Sequence, residues 1–141
     1  MTINDSAPLS SALSHLTVVE LGGMPAAYAT SYLGGLGANV IKVEPPAGDA
    51  ARSLPPFAGD IVDRERGIPF LNANLNKRSV ALDVGAPADA QTLRELLRRA
   101  DVLIESTGVG ELDAMGLGQA ALAAVNPGLV TVSMTPFGQW G

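Results

Sequence analysis

Three observations predict an open, parallel α/β sheet with helices on both faces. Apolar, β-branched runs alternate along the chain with helical segments, and the runs are near-continuous rather than alternating, as strands covered on both faces require. The 16 Gly and 10 Pro suit a turn-rich α/β domain, while one Trp, two Tyr and three Phe are too few for an aromatic-packed sandwich. A strand, a helix and a second strand fit between Leu16 and Val43, the span of a right-handed parallel unit. The 141 residues suit one core rather than two.

The first strand is read at Leu16–Leu21, stopped by Gly22 and Gly23. Pro25 then opens a helix, because proline is tolerated where an amide would be unpaired anyway, and the helix runs to Gly34 and Gly35. Ala38–Val43 is the second strand, closed by Glu44 and by Pro45 and Pro46. From Pro45 to Pro69 no period is sustained, so this stretch is given no secondary structure and is expected to cover a site. Phe70–Leu75 is read as a short helix and Ser79–Asp83 as the third strand. Ala86, Ala90, Leu93, Leu97 and Ala100 recur in alternating steps of four and three, the buried stripe of an amphipathic helix. Asp101–Glu105 follows as a strand, Gln119–Val125 as a helix and Leu129–Ser133 as the fifth strand. Val18, Val19, Val40, Ile41, Val102, Leu103, Ile104, Val130 and Val132 are expected inside. Residues 1–15 are read as a flexible tail and 16–141 as the folded part.

Composition narrows the function. Nine Lys plus Arg against fourteen Asp plus Glu give a net charge of −5, without the positive field that holds a nucleic-acid backbone. Without Cys there is no disulfide, thiolate nucleophile or Cys-ligated zinc, and no metal site is expected. No basic leader precedes an apolar stretch, and no apolar run approaches the roughly 20 residues that span a bilayer, so a cytoplasmic protein with no membrane partner is expected.

Ligands of such sheets sit beyond the carboxyl ends of the strands, here Leu21–Pro25, Glu44, Asp83–Gly85 and Ser106–Gly110. A dinucleotide reading finds its acidic residue in Glu44, 22 positions after Gly22, but the turn lacks G-x-G-x-x-G and Pro25 removes an amide. The single histidine, His15, is read as a solvated residue ahead of the first strand, so no nucleophilic triad is visible. Asp83, Glu105, Glu111 and Asp113 are candidate acids among which spacing does not choose.

Five blocks carry a family resemblance: Leu36–Asp49 (LGANVIKVEPPAGD), Asn74–Ser79 (NLNKRS) followed by Leu82 and Asp83, Ala100–Glu105 (ADVLIE), Asn126–Val130 (NPGLV) and Phe137–Gln139 (FGQ). In order and spacing they resemble the class III CoA-transferases, the carnitine and bile-acid type that also includes the α-methylacyl-CoA racemases. The resemblance implies a Rossmann-like domain that takes coenzyme A or acyl-CoA as substrate across its strand ends, with no tightly bound cofactor, in an interlocked homodimer. The implied CoA contacts fall on Met24, Pro25, Leu82, Asp83, Val84, Gly85, Ser106, Thr107, Gly108 and Met115. Lys77 and Arg78 suit a phosphate electrostatically. The implied activity is transfer of CoA between an acyl-CoA thioester and a carboxylic acid; a racemase-like fragment and a non-catalytic CoA-binding or assembly module are the alternatives.

The resemblance implies an aspartate nucleophile downstream of the Phe-Gly-Gln block, so no catalytic residue is assigned and the 141-residue chain is expected to be an inactive amino-terminal part, with a separately encoded remainder as one partner to look for. There are departures: Ser106 and Thr107 stand where the family often has Asn-Phe, Ala114 where Arg is frequent, and Gly85 where Lys is frequent. Each removes a charged or stacking contact, and a charge-assisted hydrogen bond contributes on the order of 1.5–3 kcal/mol.

Overall fold

The computed structural model describes residues 11–140. Five strands form one parallel sheet: β1 (Thr17–Gly22), β2 (Asn39–Glu44), β3 (Lys77–Ala81), β4 (Val102–Ser106) and β5 (Val130–Ser133), in the order β3-β2-β1-β4-β5. Five helices accompany them: α1 (Met24–Gly35), α2 (Ile68–Ala73), α3 (Pro87–Arg98), α4 (Glu111–Ala114) and α5 (Gln119–Val125). The chain winds one way from β1 to β3 and the other way from β4 to β5, so adjacent β1 and β4 flank the switch point where such sheets open a crevice.

Each face of the sheet has its own core. Val19, Leu21, Val43 and Leu103 meet Leu93 and Leu97 of α3 and Leu122 of α5 on one face. Val18, Val40 and Ile104 meet Ala26 of α1 on the other. Small residues on the buried side of α1, including Ala26, Ala27, Thr30 and Gly34, let that helix approach the sheet closely. The predicted stripe of α3 is the one the structure buries, with Leu93 and Leu97 fully enclosed.

Several boundaries and exposures differ from expectation. Val130 and Val132 are exposed, at 58% and 41%, rather than inside. They share a sheet face with Val102 and Ile104, and β5 is the edge strand; α1 packs over β1, β2 and β4, and a helix about 10 Å wide does not reach further. Ile41 and Val102 are only partly buried. Strand β3 begins two residues before the predicted Ser79, which draws Lys77 into the sheet. Helix α2 likewise starts two residues early, and α4 was missed because a four-residue helix carries no periodic signal.

The Pro45–Pro69 segment is not structureless. It forms two 3₁₀ turns, Ala50–Ser53 and Ala58–Asp60, and an antiparallel bridge between Phe57 and Gly67. Asp49 caps the first turn by accepting the Ala51 amide at 2.7 Å. Of the expected tail, residues 1–10 lie outside the described residues; Ser11–His15 form a turn in which the Leu13 amide donates to the Leu36 carbonyl, with His15 exposed. Among the described residues, no helix is long and apolar enough to cross a membrane.

Candidate functional site: a cleft at the carboxyl edge of the sheet

The ends of β1, β2 and β4 bound a cavity of about 350 Å³. Its lining comes from Leu21–Gly23, Val43–Pro46, Asp49 and Ala50, Leu82–Val84, and Thr107. One wall is therefore the start of the long loop, which follows β2 directly.

The floor is built by a close approach of β1 and β4. Gly22 has φ +107°, and a Cβ there would stand 2.7 Å from Ser106 Oγ and 2.9 Å from Ser106 N. The next amide, Gly23 N, donates to Ser106 Oγ at 2.9 Å. Gly22→Ala is expected to destabilise the chain by about 1–3 kcal/mol through the left-handed backbone alone, and the added methyl pries the two strands apart at the cleft. A urea titration against the parent chain measures the loss, and an unchanged midpoint would show that this junction has slack.

Beneath the wall lies a charged network on the α1 face of the sheet. Glu20 Oε1 accepts from Lys42 Nζ at 2.6 Å, and Glu20 Oε2 accepts from Lys77 Nζ at 2.8 Å and from Thr30 Oγ1 at 2.6 Å. Lys42 also pairs with Asp49 Oδ2 at 2.7 Å, tying the loop to β2. Burial opposes the charge of Lys42, but Glu20 and Asp49 outweigh it and hold its pKa above the ordinary value. Burial dominates at Lys77 and holds its pKa below the ordinary value, despite Glu20.

A second cluster secures the same wall. Both oxygens of Glu44 are occupied: Oε2 accepts from Arg52 Nε at 2.7 Å and from the Asp49 amide at 2.9 Å, and Oε1 accepts from the other arm of the guanidinium at 2.9 Å and from Ser79 Oγ at 2.5 Å. Arg52 also donates to Glu65 at 2.6 Å and stacks over the Phe70 ring, 3.9 Å from its centroid. Desolvation would raise the pKa of Glu44, but Arg52, Ser79 and the Asp49 amide together bring it down to about 2. Hydrogen bonding to Glu44 raises the pKa of Arg52, so the pair is ionised throughout the working range.

The structure gathers some of the residues expected to contact a ligand and scatters others. Leu82, Asp83, Val84 and Thr107 line the cleft, although Leu82 is also part of the core. Met24 and Pro25 follow Gly23 into α1, and the amide of Gly85 donates to Asp83 Oδ1 in a tight turn. Ser106 holds the floor. Gly108 lines a separate cavity of about 700 Å³ between β4, β5, α4 and α5, and Met115 packs against the core. Lys77 is not available to a phosphate, contrary to expectation: its ammonium also donates to Ala27 O and Asn74 Oδ1, and its side chain is 2% exposed. Arg78 bonds Asn39 at the amino end of β2, away from the cleft.

Sequence reasoning missed Asp49, Ala50 and Arg52 as builders of the wall. A signal was there, in an acid ending a strand followed by Asp49 and Arg52 in a loop too long to be idle. Two of the four candidate acids hold local backbone: Glu105 Oε2 accepts from the amide and hydroxyl of Thr107, and Glu111 accepts the Gly108 amide. Among the described residues, no group of three His, Asp or Glu is placed to hold a metal ion. Glu44, with both oxygens satisfied, has no acceptor left for a ribose, which removes the main support of the dinucleotide reading.

A doubly wound parallel sheet with a crevice at its switch point defines a ligand-binding domain of the Rossmann-like class. The profile of CoA-transferase family III matches residues 13–141, and the chain belongs to that family. It is 38% identical over 128 residues to the succinyl-CoA:(R)-benzylsuccinate CoA-transferase subunit BbsE of Thauera aromatica, covering 91% of this chain and 31% of that one. It is 40% identical over 116 residues to human succinyl-CoA:glutarate CoA-transferase, covering 81% and 25%. A crystal structure of a CAIB/BAIF family protein from Brucella suis superposes with a TM-score of 0.84 at 38% identity, covering 94% of this chain and 35% of that one. The chain thus spans between a quarter and a third of the length of these curated relatives.

Proposed function

We propose that this chain is the coenzyme A-binding part of a class III CoA-transferase, whose whole protein moves CoA from an acyl-CoA thioester to a carboxylic acid. The carrying observation is the cleft over the carboxyl ends of β1, β2 and β4, in a chain that belongs to this family. The cleft is mostly apolar, which suits the neutral, thiol-bearing arm of the coenzyme better than a charged group. The resemblance puts the nucleophilic aspartate after Gln139, so in this proposal the 141 residues bind the thioester and orient it, while the acyl and CoA-thioester intermediates form on another segment. A cytoplasmic location and pairing with a second copy belong to the same proposal.

Calorimetric titration of the chain with CoA, succinyl-CoA and NAD tests this reading; succinyl-CoA is the donor named in both relatives above. CoA and its thioester are expected to bind and NAD to bind more weakly. Affinity falls on adding salt, because the phosphates are the charged part of the ligand. A coupled assay with carboxylic acid acceptors is expected to show no turnover. Tighter binding of NAD than of CoA, or turnover matching a full-length relative, would overturn the assignment.

A further inference from the structure

We infer that Arg64 is the side chain that receives a phosphate of coenzyme A bound in the strand-end cleft, an inference that rests on the function proposed above. No lysine or arginine lines the 350 Å³ cleft itself. The phosphates therefore need a cation from beside it, and Lys77 and Arg78 are excluded by the contacts already described.

A second, polar cavity of about 270 Å³ adjoins the cleft across Glu44, Pro45 and Pro46, which line both. Its cations are Arg52 and Arg64. Arg52 is fully engaged by Glu44 and Glu65, whereas Arg64 makes no ion pair within 4.0 Å among the described residues. Glu65 would repel an anion, but its carboxylate is held by Arg52 at 2.6 Å. That contact also fixes the position of the residue next to Arg64 in the chain.

Gly48 makes room for the guanidinium. It has φ +76°, and a Cβ there would lie 3.0 Å from the Arg64 terminal nitrogen, so the side chain rests against bare backbone at the turn after β2. A planar guanidinium with free donors beside a cavity matches phosphate geometry, and an extended coenzyme A is long enough to leave its neutral arm in one cavity and reach the next.

The test compares the parent chain with Arg64→Ala and Arg64→Lys, using CoA, dephospho-CoA and pantetheine as probes in calorimetry. Arg64→Ala is expected to weaken CoA binding at least tenfold and to flatten its dependence on salt, Arg64→Lys to restore part of the loss, and pantetheine to bind all three proteins alike. If dephospho-CoA loses as much as CoA does, the contact is to the diphosphate; if it is insensitive, the contact is to the 3′-phosphate. Arg64 is exposed, so an unchanged urea midpoint separates a lost contact from a lost fold. Equal affinity of the parent chain and Arg64→Ala for CoA would overturn the inference and leave the proposed function standing, whereas failure of the parent chain to bind CoA would remove both.

Discussion

Lys42→Ala is expected to lower stability by about 3–5 kcal/mol, the cost of leaving buried charge without its partner. The Lys42 side chain is 2% exposed, and its ammonium stands between Glu20 at 2.6 Å and Asp49 at 2.7 Å, carboxylates whose side chains are 0% and 7% exposed. Lys77 still meets Glu20 in the variant, but Asp49 loses its cation, and the first turn of the long loop keeps only its ties to Glu44 at the end of β2. With a urea m-value of about 1–3 kcal/mol/M for a small domain, the midpoint should fall by more than about 1 M. Arg98→Ala is the control. It breaks the exposed pair with Glu95 on the surface of α3, where solvent screening leaves little to lose, and should barely move the midpoint. Equal midpoints for the two variants would show that the network is not the fastener described above.

The second large effect is a dependence of stability on pH carried by Glu44. Its folded-state pKa is lowered from 4.5 to about 2, so between those values the unfolded chain holds a proton that the folded chain does not. The contribution is therefore present in full above about 4.5 and is lost as pH falls toward 2. At about 1.4 kcal/mol per pKa unit it amounts to as much as roughly 3 kcal/mol at neutral pH. Other carboxylates titrate in this window too, so the measurement is a difference: urea midpoints of the parent chain and of Glu44→Gln at pH 7, 5, 4 and 3. The gap should be widest at pH 7 and narrow steadily below pH 4.5. A gap independent of pH would mean that Glu44 acts through shape alone.

Much of the architecture was determined by the sequence alone. The alternation of β-branched runs with helical segments, the prolines and glycines that separate them, and the Leu93 and Leu97 stripe are local signals. Each depends on a period or a turn within a few residues. The fold class itself pointed to the carboxyl ends of the strands as the place for a ligand, and a cleft lies there. The fate of individual polar residues was decided only by the tertiary structure. Lys77 and Arg78 read alike in sequence, yet the register of β3 turns one into the sheet against Glu20, 57 positions earlier, and leaves the other outside. Glu44, a ribose acceptor by its spacing, is closed off by Arg52 and Ser79. Val130 and Val132 look like core and lie exposed because β5 ends the sheet where no helix covers it. The physical reason is common to all of these: hydrophobic periodicity acts over a turn or a pleat, whereas the pairing of a charge or the covering of a strand depends on which distant segment folding brings beside it.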